Sequence, residues 1–196
     1  MKIKLDTIKD ASKELIGNII RTPTIRSQQL SIDTNAEVFL KLENLQYTSS
    51  FKVRGGYISI KRLKEEQKKM GVIAMSAGNH AQAVAWWAKK ERVNATIVMP
   101  EHAPLSKVMK TKSLGADVIL KGRTLNESQS YVSELVNDKK LTLIHPYDDH
   151  NVVIGQGTLG LEFMEDIKDL DLLVIPIGGG GLISGVSIVA KALNPN

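Results

Sequence analysis

From residue 71 onward, short apolar runs alternate with stretches in which apolar residues recur every third or fourth position. The runs are "GVIAMS", "NATIVMP", "ADVILK", "LTLIHP" and "DLLVIPI", rich in Val, Ile and Leu. Their near-continuous hydrophobicity predicts strands covered on both faces. Helical spacing falls in "HAQAVAWWAKK", "LSKVMKTKSLG", "LNESQSYVSELVNDKK", "GLEFMEDIKD" and "GLISGVSIVAKAL". Such alternation predicts an α/β fold, with parallel strands between layers of helices. Upstream, "AEVFLKLENLQYTS" reads as a half-apolar strand decaying into turn residues, and "YISIKRLKEEQKK" sets Tyr57, Ile60 and Leu63 on one helical face. Lys52, in "SFKVRGG", therefore falls where a strand gives way to a helix. In open α/β sheets that junction lies at the carboxyl ends of the strands, where ligands bind.

Composition narrows the classes. With 196 residues and 42% hydrophobic content, the chain can bury a core as one ordinary domain or two small ones. No apolar run reaches the roughly eighteen residues of a membrane span, and the opening "MKIKLDTIKDASKELIGNII" is too charged for a signal peptide. A cytoplasmic protein is expected. The absence of cysteine removes disulfides and thiolate chemistry. The net charge of +5 is scattered, with Lys61, Arg62, Lys64, Lys68 and Lys69 interleaved with Glu65 and Glu66 as on a solvated helix face. Aromatic residues are too few, at 5%, to interleave with these cations as a base-stacking platform. The expected partner is a small anionic molecule, not a nucleic acid or a membrane.

Three stretches each follow an expected strand and open an expected helix: "SSFKVRGG" at 49–56, "SAGNHAQ" at 76–82 and "GGGGLISG" at 178–185. Gly178, Gly179, Gly180 and Gly181 strip side chains from a helix entrance, leaving amides and the positive end of the helix dipole to meet a phosphate. A tight, closely packed turn would read the same way. No Gly-Lys-Ser/Thr follows, so this is not a nucleotide P-loop. Ser76 and Asn79 read either as helix caps or as polar groups facing a ligand, which the small Ala77 and Gly78 would let near the main chain. His80 alone reads as a hydrogen-bonding residue.

Two further stretches carry less. "GQGTLG" (155–160) matches the dinucleotide-binding glycine pattern but follows a polar segment, and the next strand ends in glycines where an acidic ribose partner belongs. "HPYDDH" offers His145, Asp148, Asp149 and His150, yet their spacing matches no metal template and reads as a polar loop, so no metal site is expected. Taken together, a lysine, an amide-and-hydroxyl loop and a glycine cradle are the parts that hold pyridoxal 5'-phosphate. The lysine forms the Schiff base, a polar group meets the ring hydroxyl, and the cradle takes the phosphate.

"LENLQYTSSFKVRGG", "SAGNHAQAVA", "GQGTLGLE" and "PIGGGGLISG" resemble, in order and approximate spacing, the threonine/serine dehydratase and serine racemase family of fold type II pyridoxal-phosphate enzymes. The resemblance implies the tryptophan synthase beta-like architecture, with two parallel-sheet domains. Residues 53–147 would form the small domain; 1–52 and 148–196 would form a large domain that is incomplete. It implies that Lys52 carries the Schiff base, Phe51 lies beside the cofactor ring, Asn79 meets the ring hydroxyl, and Gly178, Gly179, Gly180 and Gly181 bind the phosphate. Ser76, Gly78, Asn79 and His80 would grip the substrate carboxylate, and Arg54 would belong to the structural start of its helix.

The implied reaction is β-elimination from L-threonine or L-serine, giving 2-oxobutanoate or pyruvate and ammonia, in a homo-oligomer (dimer or tetramer). Members that racemise resemble one another in a serine just before Gly-Asn-His; here that position is Ala77, which cannot shuttle a proton. Ser49 and Gly56 stand where the family usually has Gly and Ala. The family also continues past residue 196 with further strands, divalent-metal ligands and a hydroxyl for the pyridine nitrogen, so the chain is expected to be an N-terminal portion. The alternatives are a catalytically inactive fragment that binds the cofactor weakly or not at all, a 3-hydroxyaspartate dehydratase, or a serine racemase.

Overall fold

The computed structural model of the protein describes residues 2–195, so residues 1 and 196, at the ends of the expected large domain, lie outside the described residues. In chain order the elements are α1 (Leu5–Leu15), β1 (Thr24–Arg26), α2 (Gln28–Thr34), β2 (Phe39–Lys41), α3 (Lys52–Lys61), α4 (Glu65–Met70), β3 (Val72–Met75), α5 (Asn79–Lys90), β4 (Ala95–Met99), α6 (Leu105–Ser113), β5 (Asp117–Leu120), α7 (Leu125–Lys139), β6 (Thr142–Leu143), α8 (His150–Asp166) and α9 (Gly181–Leu193). The fold is α/β with a parallel sheet, ordered β5-β4-β3-β6.

Side chains alternate across β3 as the two-residue period of a strand requires. Val72 and Ala74 join the main core with Ala81, Val84 and Ala88 of α5. Ile73 instead packs with Val98, Val132 and Leu135 on the face that α7 covers. Both faces are thus buried, which explains the continuous apolar runs. Among the described residues no helix is long and apolar enough to cross a membrane.

The upstream strand is shorter than the apolar pattern suggests. Only Phe39–Lys41 pairs, antiparallel to Thr24–Arg26, and two 3-10 turns, Glu43–Leu45 and Tyr47–Ser49, then lead to α3. The strand expected in "DLLVIPI" does not form. Residues 172–177 belong to no helix or ladder, with Leu173 and Ile175 packed on Leu159, Leu182 and Val186. Leu172 and Val174 point outward, Val174 being 85% exposed. Two-residue alternation is present, but a strand exists only when its main chain has a partner.

"GQGTLG" is neither loop nor turn: it lies inside α8, which is packed between α3 on one side and α1 and α9 on the other. A Cβ on Gly155 would come 2.6 Å from the Arg54 carbonyl oxygen, and one on Gly185 of α9 would come 2.6 Å from the Gly157 amide nitrogen. These glycines let helix backbones touch, which no larger residue permits. Gly56 in turn faces Ala83 of α5, and the Trp87 indole donates to the Val53 carbonyl at 2.8 Å. The helix that begins at Lys52 is therefore gripped from two sides.

Beneath it lies a buried ionic network. Arg54, with no exposed surface, donates to both carboxylate oxygens of Glu43 at 2.9 and 2.7 Å and of Glu162 at 2.7 and 2.8 Å. Lys41 meets Glu162 at 3.0 Å and Asp166 at 3.1 Å. Burial works to raise the Glu162 carboxyl, but Arg54 and then Lys41 outweigh it and hold the pKa below the usual carboxylate range. The assignment of Arg54 to the structural start of its helix agrees with this environment.

Candidate active site

Main-chain geometry delivers Lys52 before any chemistry does. Thr48 and Ser49 are both left-handed, with φ of 57° and 59°, a conformation that costs a β-branched residue such as Thr and tends to cluster at functional sites. The chain then turns directly into α3, whose first residue is Lys52. Its ammonium nitrogen donates to the Pro146 carbonyl at 2.7 Å and stands 5.4 Å from the centre of the half-buried Phe51 ring. Among the described residues no carboxylate pairs with it. Burial, uncompensated, holds the Lys52 amine below its ordinary value.

The loop after β3 is shaped by its own groups. Ser76 accepts the Gly78 amide at 3.1 Å, and Gly78, not Ser76 or Asn79, occupies the N-cap of α5. Asn79 is the first helical residue; its side chain is exposed and makes no hydrogen bond among the described residues. His80 is only 3% exposed. Its Nε2–H donates to the Ile144 carbonyl at 2.8 Å, leaving Nδ1 buried without a partner. Burial is the main cause that brings the His80 pKa down to about 4; the bond to Ile144 opposes it and the charge of Lys52 adds to it.

The glycine run enters α9 through Gly180, its N-cap, at φ 90° with no capping side chain. The first-turn amides of α9 are thus left for another acceptor. A Cβ on Gly178 or Gly180 would meet nothing, whereas Gly179 and Gly181 lie against Tyr147. The three motifs meet at one short strap after β6. Ile144 receives His80, Pro146 receives Lys52, and Tyr147 covers Gly179. In the sequence this strap reads as a polar loop whose His and Asp residues match no metal template. Its one legible signal was its place directly after a strand of the parallel sheet. Within it, Asp149 caps α8 by accepting the amides of Asn151 and Val152 at 2.7 and 3.0 Å.

A family model described as "Pyridoxal-phosphate dependent enzyme" matches residues 15–196. The chain belongs to that family. It is 49% identical over 193 residues to the L-threonine ammonia-lyase of Thermotoga maritima, covering 98% of this chain and 48% of that protein. It is likewise 49% identical over 195 residues to the catabolic L-threonine dehydratase TdcB of Staphylococcus aureus, covering 99% of this chain and 56% of the relative. The serine racemase structure from Dictyostelium discoideum superposes with a TM-score of 0.93 at 40% identity, over 99% of this chain and 63% of that one. The chain spans about half the length of the curated relatives it matches. These neighbours make the architecture that of fold type II pyridoxal-phosphate enzymes.

The residues present suit the family's cofactor on physical grounds. An amine whose pKa burial lowers suits an aldehyde, and an uncapped helix entrance bare of side chains at Gly178 and Gly180 suits a phosphate.

Proposed function

We propose that the chain forms the cofactor-binding and substrate-gripping part of a pyridoxal-phosphate-dependent ammonia-lyase acting on L-threonine and L-serine. The observation that carries this reading is Lys52: an amine desolvated at the head of a helix, held by one carbonyl and no carboxylate. Lys52 would hold the cofactor, with Phe51 beside its ring, Asn79 at its ring hydroxyl, and the amides of Gly178, Gly179, Gly180 and Gly181 on its phosphate. When bound, the cofactor supplies an electron sink that acidifies the Cα–H bond of an amino acid.

The protein's own groups do the rest. Burial lowers the Lys52 pKa, which eases its loss of a proton, and the freed amine would take the Cα proton. Ser76, Gly78 and Asn79 form a half-open rim that suits a carboxylate, and His80 anchors that rim to Ile144. The β-hydroxyl leaves as water, and hydrolysis of the enamine returns one water, so threonine yields 2-oxobutanoate and ammonia. Ala77 offers no acid or base on the opposite side, which favours elimination over racemisation. On this reading 53–147 is the small domain and 1–52 with 148–196 the large one, in a cytoplasmic homo-oligomer.

A second reading, cofactor binding without turnover, is favoured by the exposed, unpaired apolar residues Leu172 and Val174 beside the cradle. One assay separates the two. The purified chain, supplied with pyridoxal 5'-phosphate, is given L-threonine, L-serine or 3-hydroxyaspartate, and 2-oxo acid, ammonia and D-serine are measured. Ammonia matched by 2-oxobutanoate supports the lyase; D-serine formed faster than pyruvate overturns it in favour of a racemase; no product supports the second reading.

A further inference from the structure

The strap that joins the three motifs is held in shape by one side chain. His145 Nδ1 accepts the Asp148 amide at 2.8 Å and, more distantly, the Tyr147 amide at 3.4 Å. A ring nitrogen that accepts amides carries no proton, so the imidazole proton resides on Nε2. Acceptance at the second and third residues onward closes a turn through its first residue, as Asn and Asp side chains commonly do. Pro146 suits the second position of such a turn, its φ being fixed in advance. The His145 and Tyr147 rings meet edge to face at 4.6 Å, which pins the ring that covers Gly179. The same turn aims the Pro146 carbonyl at Lys52.

We propose that His145 is a positioning residue: by capping the His145–Asp148 turn it sets the Pro146 carbonyl against the Lys52 amine and the Tyr147 ring against the glycine cradle. Among the described residues no hydrogen bond joins His145 to the amine or the cradle. Its effect passes through the main chain of Pro146 and the side chain of Tyr147. This inference rests on the reading of Lys52 as the cofactor lysine.

Chemistry supplies a discriminating set of variants. Asn Oδ1 sits the same two bonds beyond Cβ as His Nδ1, so His145→Asn keeps the acceptor in place. His145→Ala removes it, and His145→Gln moves it one methylene away while keeping a polar side chain. The parent and the three variants are titrated with pyridoxal 5'-phosphate, following the absorbance of the imine, and the Asp148 amide is followed by NMR without cofactor. Loss of the ordering that one to two hydrogen bonds provide should weaken His145→Ala and His145→Gln about tenfold, with His145→Asn restored to within about twofold of the parent. The Asp148 amide should lose its hydrogen-bonded signature in the first two variants and keep it in His145→Asn.

A merely space-filling role predicts the opposite ranking, since Gln is closer in volume to His than Asn is. Equal binding by all four proteins, or an Asp148 amide unchanged in His145→Gln, overturns the proposal. If His145→Ala fails to fold, the Gln and Asn pair decides alone. A parent protein that binds no cofactor sinks the Lys52 reading itself, and the amide measurement tells that failure apart from failure of the turn.

Discussion

Lys52 and Arg54 stand two residues apart in the first turn of α3, and their surroundings are opposite. Arg54 makes five hydrogen bonds, four to two carboxylates and one to Thr158 at 3.2 Å. Burial alone would lower its pKa, but the bonds it donates to Glu43 and Glu162 outweigh that and raise it. Lys52 has one neutral acceptor, and burial lowers its pKa. One helix turn thus carries a charge locked on and a charge that burial makes easier to remove. Arg suits the first task because its planar fork matches carboxylates and does not deprotonate; Lys suits the second because its ammonium titrates when desolvated.

Removing Arg54 should break the comparison most severely. Arg54→Met leaves Glu43 buried without its cation and Glu162 with Lys41 alone, and should cost about 4 kcal/mol in denaturant unfolding. A loss under about 1 kcal/mol would mean that the network is dispensable.

The next largest effect is a pH dependence beside Lys52. His80 titrates at 6.5 when unfolded and at about 4 when folded. Between those values the unfolded chain binds more protons, so stability rises with pH across the window and is lost as pH falls through it. The loss should reach about 3 kcal/mol, and His80→Asn should flatten the slope from pH 6.5 to 4. The network's carboxylates act in the same direction but lower down, with Asp166 reaching about 2: burial works to raise it, and Thr24, Arg21 and Lys41 prevail.

Gly155→Ala should push a methyl into the main chain of Arg54 and Gly55 and destabilise by about 2 kcal/mol, read as a lowered thermal midpoint. The smallest effect sharpens the contrast. Lys52→Met relieves a desolvated amine and should leave stability within about 1 kcal/mol of the parent, although its neighbour two residues on is indispensable.

Much of this was legible in the sequence, for identifiable reasons. Val72–Met75 and Ala95–Met99 announce themselves because strands buried on both faces must be largely apolar. Lys52, the 76–80 loop and the glycine run could be picked out because each sits where a helix begins. Three things were not legible. The apolar run at 172–177 has strand-like alternation, but pairing is a long-range property that local pattern does not encode. The glycines of "GQGTLG" imitate a nucleotide fingerprint because close helix packing also requires missing side chains. The strap at 144–149 binds largely through carbonyl oxygens, which every residue has, so its sequence shows only a proline, two rings and acids typical of a loop.

The most direct test of the central claim is to find where the cofactor attaches. The chain is incubated with pyridoxal 5'-phosphate and reduced with borohydride, and the modified lysines are mapped by peptide mass spectrometry. Modification concentrated on Lys52, with exposed lysines such as Lys13 scarcely labelled, is the predicted result. Labelling that follows exposure, with Lys52 no more modified than Lys13, would contradict the account: the buried amine would then be a structural lysine, no more poised than Arg54.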